Sequence, residues 1–469
     1  MQRLFIVPFF ALSFLFGAQQ ARAFSLLGPL APWQTERLGY ELNMPLFGGP
    51  VSIGEEYRWN VPVVYYAFTP EFLSYFGQTG VTEIEKAIRF LNNLPRAEQM
   101  NIDDFPLSSQ RLNHRAQALG LLDLKSYALS VMMNEIGLCD PTRFVYTLRS
   151  RWIGPGPAPT NYYVIKRNFD PVTWQHSSYI NGQLWTYSLV TDVTDTESFV
   201  FTEPVDPLAL LGLINAPVTS GVGNDLLVFG GFWTGFTRDD VGGIKYVYRR
   251  SNFNVENAPP IATGTFGGGP WGVPPPATTN VVTNLFVDLA LRPGIDKITF
   301  VRAKYDSEAG IFVPFTNAFT DTIITNGRAI QQNLQRPVPI ADLLFDSSDL
   351  QDGDAFPVFV TVAGGFQPWD NNDPENGLIG DLGPGVIQPA LGIPPQGSAF
   401  TITFNSVGPT FWNIWPNFLS EASAVRFFLW GSFDGSTNEP VVYPINTSIQ
   451  DLERQVLGGG GPGNPFGVP

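Results

Sequence analysis

Hydrophobic positions fall into two rhythms along this chain, and the change from one to the other divides it. Residues 61–68 (VPVVYYAF) are β-branched and aromatic almost without a break, which predicts a buried strand. Val81, Ile84, Ala87, Ile88, Leu91 and Leu94 then recur at three- and four-residue steps. Thr82 and Glu85 stand at capping-box spacing and Pro95 ends the run, so a helix is predicted over 81–94. A second helix is predicted over about 121–136, with Leu121, Leu124, Ala128, Val131 and Met132 inward and Gly137 at its C-terminal end. Strands follow at 144–148, 162–166, 184–190 and 199–202, and a short apolar helix at 207–214. Asp239 and Asp240 open one more helix, their charges at its dipole-favoured end, with Ile244, Val247 and Tyr248 behind them.

After Asn257 the helical rhythm fades. Residues 258–280 (APPIATGTFGGGPWGVPPPATTN) read as a Pro/Gly linker. Beyond Val281 short alternating runs take over at 295–305, 311–315, 355–363, 399–404, 425–430 and 440–443, which predict a β-sandwich or jelly-roll-like unit. The expected fold class is an α+β N-terminal domain (24–257), opening on an extended arm at 24–50, and an all-β sandwich C-terminal domain (281–457). The linker joins the two, and a flexible tail follows at 458–469.

Composition narrows the class. Charged residues are 15% of the chain, against roughly 25% in ordinary soluble domains. Gly (47) and Pro (41) are abundant, so loops dominate, yet 38 Phe argue against wholesale disorder. Residues 1–23 have the form of a secretory signal peptide: Arg3, an apolar stretch over 4–16, and the small-x-small site Ala21-Arg22-Ala23. The apolar stretch is too short to span a bilayer, and no later segment is apolar for about 18 residues, so stable membrane insertion is not expected. The net charge of −15 disfavours nucleic acid and anionic lipid. The basic pairs Arg149/Arg151 and Arg249/Arg250 are expected on solvated faces. Cys139 is the single cysteine, so no disulfide can form within the chain, and a buried thiol is expected.

The residue inventory limits the chemistry. Only His114 and His176 are available for a catalytic zinc or a nucleophile's base, and H-E-x-x-H is absent. Residues 59–68 with the following helix resemble the opening strand and first helix of matrixin-type metzincin peptidases. Residues 237–248 (TRDDVGGIKYVY) resemble that family's closing helix, and Asn134-Glu135-Ile136-Gly137-Leu138 has the outline of its zinc helix. The resemblance covers about 50 residues. It implies a matrixin-like α/β fold with Glu135 at the general-base position. Asn134 and Leu138 stand where two zinc-binding His belong, and the third His is missing. The stretch between Glu135 and Asp239 is also far longer than in a compact matrixin.

Three further chemistries bear on the residue inventory. No G-x-S-x-G elbow or phosphate loop is present. A glycosidase needs two facing acids, and the adjacent pairs Glu55/Glu56, Asp103/Asp104 and Asp239/Asp240 point oppositely if they lie on strands. Trp59, Trp152, Trp174, Trp185, Trp233, Trp271, Trp369, Trp412 and Trp415 are candidate sugar platforms as well as core fillers. Calcium is the cofactor to which the acidic loops point: Asp370, Asn372, Asp373, Glu375 and Asp381 supply the oxygens a hard cation takes, as do residues 346–354, without EF-hand spacing. Asp192, Asp195 and Glu197 form a weaker cluster. The expected function is that of a secreted, non-catalytic extracellular protein, structural at a surface or binding a partner or polymer. The alternative is a secreted hydrolase, most concretely a matrixin-like peptidase fold with lost or altered zinc ligands.

Overall fold

The run at 61–68 does form a strand, Val63–Phe68, and it lies inside a four-stranded parallel sheet. In this computed structural model the sheet order is Thr299–Arg302, Val63–Phe68, Leu343–Phe345, Phe400–Ile402. The structure describes residues 23–28, 31, 33–40, 50–155, 160–191, 197–206, 229–266, 287–306, 311–351, 369–371, 384–389, 400–404 and 429–457. Parallel strands are buried on both faces, which is why the sequence here shows a continuous apolar run.

The following helix, Pro70–Asn93, begins eleven residues before the expected start. Its cap is Thr69, whose hydroxyl accepts from the Phe72 N–H at 3.2 Å, with Pro70 at the first helical position. Thr82 caps nothing: it lies mid-helix and donates to the Gln78 carbonyl. Gly77, at φ +60°, interrupts the helix where a Cβ would stand 2.3 Å from Ile445 Cδ1.

Leu124–Glu135 is the second helix, capped by the Asp123 carboxylate accepting from the Ser126 N–H. All of its residues except Tyr127 are buried. It ends at Gly137, φ +94°, where a Cβ would lie 2.1 Å from the Tyr57 carbonyl oxygen. The closing helix, Arg238–Tyr248, carries a capping box between Thr237 and Asp240.

The N-terminal segment differs from a loose arm. Phe24–Leu27 is a fully buried strand, paired antiparallel with Asn168–Phe169, Pro50–Val51 and Leu138–Cys139. Four consecutive residues with three apolar side chains give it more to bury than its Gly/Pro surroundings suggest.

The expected boundary at 258–280 is crossed by the sheets. Thr263–Phe266, inside that span, is a strand. It lies at one edge of a five-stranded antiparallel sheet ordered Phe253–Glu256, Ala290–Pro293, Phe315–Thr325, Arg328–Val338, Thr263–Phe266. Two of its strands precede 281, so antiparallel pairing is not confined to the stretch expected to be all-β. Both partners of Val63–Phe68 in the parallel sheet, and the outer strand Phe400–Ile402, come from beyond 281. A chain of aromatic contacts ties the same regions: Phe72 to Phe76 (4.8 Å), Phe76 to Phe404 (5.0 Å) and Tyr443 (5.0 Å), and Phe404 to Trp430 (5.5 Å). Polar seams are paired as well. Arg58 is wholly buried and donates to Glu256 (2.7 Å), to the Asn252 carbonyl (2.9 Å) and to the Arg292 carbonyl (3.1 Å). Arg336 holds Asp342 through two bonds of 2.8 and 3.0 Å, and Asp342 accepts from the Tyr65 N–H.

Between the second and closing helices the chain forms two antiparallel ribbons, Thr147–Trp152 with Asn161–Ile165 and Gln183–Thr191 with Ser198–Pro204. The strands expected at 162–166, 184–190 and 199–202 form within two residues of those bounds, whereas the one expected at 144–148 begins at Thr147, because Pro141–Phe144 is a short helix capped by Asp140. The signal-peptide stretch 1–22, the helix at 207–214, the strand at 355–363 and the tail at 458–469 lie outside the described residues. Ile449–Leu457 is a helix that the alternation pattern does not announce. Among the described residues no helix is long and apolar enough to cross a membrane.

Candidate functional site

Glu135 is the residue to which the sequence points most directly, and the structure places it at the end of the buried second helix with 1% of its surface exposed. The backbone around it is held firmly. Trp59 Nε1 donates to the Glu135 carbonyl at 2.6 Å. Tyr248, from the closing helix, donates its hydroxyl proton to the Ile136 carbonyl at 2.8 Å. Strand, second helix and closing helix therefore meet at this point. The carboxyl group itself is isolated: among the described residues neither Oε1 nor Oε2 has a hydrogen-bond partner. Burial with no compensating charge pushes its pKa well above the ordinary carboxylate range. A general base needs contact with a substrate or water, and this one is enclosed.

The residues flanking it do not rescue a metal centre. Asn134 and Leu138 are both buried, Leu138 in the short strand beside Phe24–Leu27. His114 starts a short helix on the surface. His176 is exposed, its ring 5.0 Å from that of Phe169. Partial burial and the nearby Arg167 and Lys166 lower the His176 pKa. Two surface imidazoles and one enclosed carboxyl do not make a ligand set, and among the described residues no group of three His, Cys, Asp or Glu converges. Cys139 is buried, as expected of a structural thiol.

Of the candidate calcium residues, Asp370 lies in the strand Trp369–Asn371, paired with Gly385–Ile387. Asn372, Asp373, Glu375 and Asp381 lie outside the described residues, as do Asp192 and Asp195. In the second acidic loop, Asp346 accepts from Thr69 Oγ1 at 2.6 Å and from Ser348, while Ser347 donates to the Glu71 carbonyl. This part of the loop fastens the start of the long helix. The paired acids are likewise engaged. Glu56 accepts from Asn252 at 2.6 Å, Asp240 belongs to the capping box, and Asp239 accepts from the Ala23 and Asn181 backbone N–H groups.

The ribbons at 147–204 present a different chemistry. Register pairs Ser150 with Tyr163 and Trp152 with Asn161, so Trp152 and Tyr163 are diagonal neighbours on one face. They are 58% and 61% exposed, among the most open large side chains described. The second ribbon runs from buried Trp185 to exposed Tyr187 and Leu189 on the same face, with Tyr146 4.7 Å from Tyr187. Tyr162, on the opposite face of the first ribbon, meets Thr191 at 3.2 Å and joins the two. Nearby, Arg249 is clasped between Trp174 (4.1 Å) and Tyr246 (4.2 Å), and Arg149 lies 4.3 Å over Trp33. These arginines are stacked rather than simply solvated, because flat guanidinium groups find aromatic faces in a Trp-rich chain. The signal for the exposed face was present in the alternation Ser150-Arg151-Trp152 and in Tyr162-Tyr163. Of the other platform candidates, Trp59, Trp185 and Trp233 are core residues.

A polar cleft of about 340 Å³ lies between the long helix and the strand Leu429–Ser432, lined by Glu83, Lys86, Arg89, Lys125, Asp434 and Glu439. Most of its charges are already engaged: Lys86 with Glu83, Lys125 with Asp123 at 3.9 Å, and Glu439 with Arg115. No family profile, no curated protein and no solved structure matches the chain.

Proposed function

We propose that this chain is a secreted, non-catalytic extracellular protein that binds a partner or polymer through the aromatic face of the ribbons at 147–204. The observation that carries the reading is the diagonal placement of Trp152 and Tyr163 on one open face. Flat, exposed rings at strand spacing suit the apolar faces of sugars or a partner's side chains, and they need no acid or base. The enclosure of Glu135 supports the non-catalytic half of the proposal. Calcium at the loop around Asp370 would serve as a structural cation in this reading.

The test is adsorption of the purified mature protein to insoluble polysaccharides and peptidoglycan. Wild type is expected to bind at least one of them, and Trp152→Ala with Tyr163→Ala to lose at least tenfold in affinity. Equal adsorption by both forms would remove the ribbon face from the argument. Peptide hydrolysis that disappears in Glu135→Gln would replace the proposal with the peptidase reading.

One set of observations favours a matrixin-like ancestry for the scaffold. The strand Val63–Phe68, the long helix, the helix ending at Glu135 and the helix Arg238–Tyr248 share one core, in the order the sequence resemblance implies. On this reading the fold persists without its zinc ligands, and residues 140–235 carry the added binding ribbons.

A further inference from the structure

We infer that the polar cleft between the long helix and the strand Leu429–Ser432 is a binding site for a sugar-sized organic carboxylate, a hexuronate, whose carboxylate is held by Arg89 and Lys125. The inference goes beyond the ribbon face and does not depend on it.

The cleft follows from how three elements are placed. On the long helix Lys86, Arg89 and Asn93 recur at three- and four-residue steps, with Phe90 beside them, so they share one face. The strand Leu121–Asp123 pairs parallel with Leu429–Ser432, and the second helix starts directly after it. That pairing brings Lys125 to the same space as Ser432, Asp434 and Asn438. The space is about 340 Å³. Ligand pockets run from roughly 300 to 1,000 Å³, so this one suits a single sugar unit.

Charge then selects the ligand. The lining holds three cations, Lys86, Arg89 and Lys125, and three acids, Glu83, Asp434 and Glu439. Each acid already has a partner. Glu83 accepts from Lys86 at 2.7 Å, Glu439 pairs with Arg115 at 3.1 Å, and Asp434 accepts from the Ser436 N–H at 2.8 Å. Hydrogen bonds from Ser436, and then the charges of Lys86 and Lys125, hold the Asp434 carboxyl below the ordinary carboxylate range. Two cations keep binding capacity. Arg89 is exposed, and among the described residues no acid lies within ion-pair reach of it. The Lys125 side chain is only 10% exposed, and its ammonium stands 3.9 Å from Asp123, too far for a hydrogen bond. The ring of Phe232 lies 5.5 Å from the same ammonium. Among the described residues no acceptor takes its protons, a costly state for a buried charge unless an oxygen in the cleft does so.

Spare positive charge asks for an anion, and the planar guanidinium of Arg89 matches a carboxylate. The three acids repel a doubly charged phosphate or sulfate more than a single carboxylate. With every acid engaged, none is left over for the ammonium of an amino acid. Asn93 and Asn438 suit sugar hydroxyls, and Phe90 offers an apolar face to the C–H groups of a ring.

The experiment is calorimetric titration of the full chain with sodium glucuronate, methyl glucoside, inorganic phosphate and glycine. Glucuronate is expected to bind saturably, one per chain, and the neutral glucoside about tenfold more weakly or less. Arg89→Gln should weaken glucuronate about tenfold while Arg89→Lys recovers part of the loss. Lys125→Gln should act likewise. If it does not fold, the two Arg89 variants decide the matter. Trp152→Ala with Tyr163→Ala should bind glucuronate as wild type does, so this site and the ribbon reading can fail separately. A uronate oligomer that binds as well as the monomer marks a polymer end as the source, and one that does not bind marks a free solute; either upholds the cleft. No saturable binding up to ~10 mM glucuronate overturns the inference. So does equal binding of the glucoside, phosphate or glycine, or an affinity unmoved by Arg89→Gln.

Discussion

The core around Glu135 and the ribbons at 147–204 are neighbours in sequence and opposites in design. The first is closed by hydrogen bonds from two directions, Trp59 to the Glu135 carbonyl and Tyr248 to the Ile136 carbonyl, and leaves its one acid without a partner among the described residues. The second leaves Trp152 and Tyr163 open while tying its backbone into ladders. Among the described residues, the carboxyl group to which the sequence points is enclosed, whereas the aromatic rings of the first ribbon are open. The outline of a motif in the sequence does not fix whether solvent reaches its central residue.

Changes to the core should act on stability, and changes to the ribbons on binding. The largest effect is expected from Arg58→Ala, which strands the buried Glu256 and removes several carbonyl partners. A loss of about 3–5 kcal/mol in urea unfolding is expected for breaking such a pair; a loss near that of a surface substitution would show that the seam does not hold the halves together.

Glu135→Gln should act in the opposite direction. Burial raises the folded-state pKa, so the folded chain keeps a proton that the unfolded chain releases above about pH 4.5. Wild-type stability is therefore whole below that pH and falls as pH rises toward the folded pKa, by about 1.4 kcal/mol per pH unit. The variant should match wild type near pH 4 and exceed it increasingly as pH rises toward the folded-state pKa in thermal scans. A gap independent of pH would show that the carboxyl is ionised and compensated.

Gly327→Ala tests a turn outside both regions. Gly327 has φ +70° and open space around it, so only backbone strain of about 1–2 kcal/mol is expected, read by chemical unfolding. Smallest on stability, within about 0.5 kcal/mol, should be Trp152→Ala with Tyr163→Ala. If this double variant unfolds early while still adsorbing to polymer, the contrast between core and ribbon fails.

Local pattern carried some elements and not others. The strand Val63–Phe68 and the core of the long helix were legible because β-branched runs and 3.6-residue periodicity are local properties. The true start of that helix was hidden: Gly77 and Gly80 in an aromatic stretch read as irregular, and Thr82 imitates a cap that Thr69 provides. The hairpin Phe315–Thr325 with Arg328–Val338 was missed although Asn326-Gly327 is a strong turn signal, both residues having positive φ. Its polar alternation lacks the apolar face by which strands are usually recognised. Pairing partners were illegible in principle, since an apolar run does not name the strand it will lie beside. The same holds for the site. Position 135 is marked by its neighbours in sequence, but its enclosure comes from Trp59 and Tyr248, which sequence places far from it.

The parallel sheet has a consequence for how the molecule comes into being. Tyr65 bonds to Asp342, 277 residues further along, and the outer strand Phe400–Ile402 comes later still. Half-made chains thus emerge with their most apolar strand unaccompanied, and the central layer is completed only when nearly everything has been synthesised. Such long-range closure is intrinsically slow. The first strand of that layer therefore waits unpaired until its distant neighbours have been made.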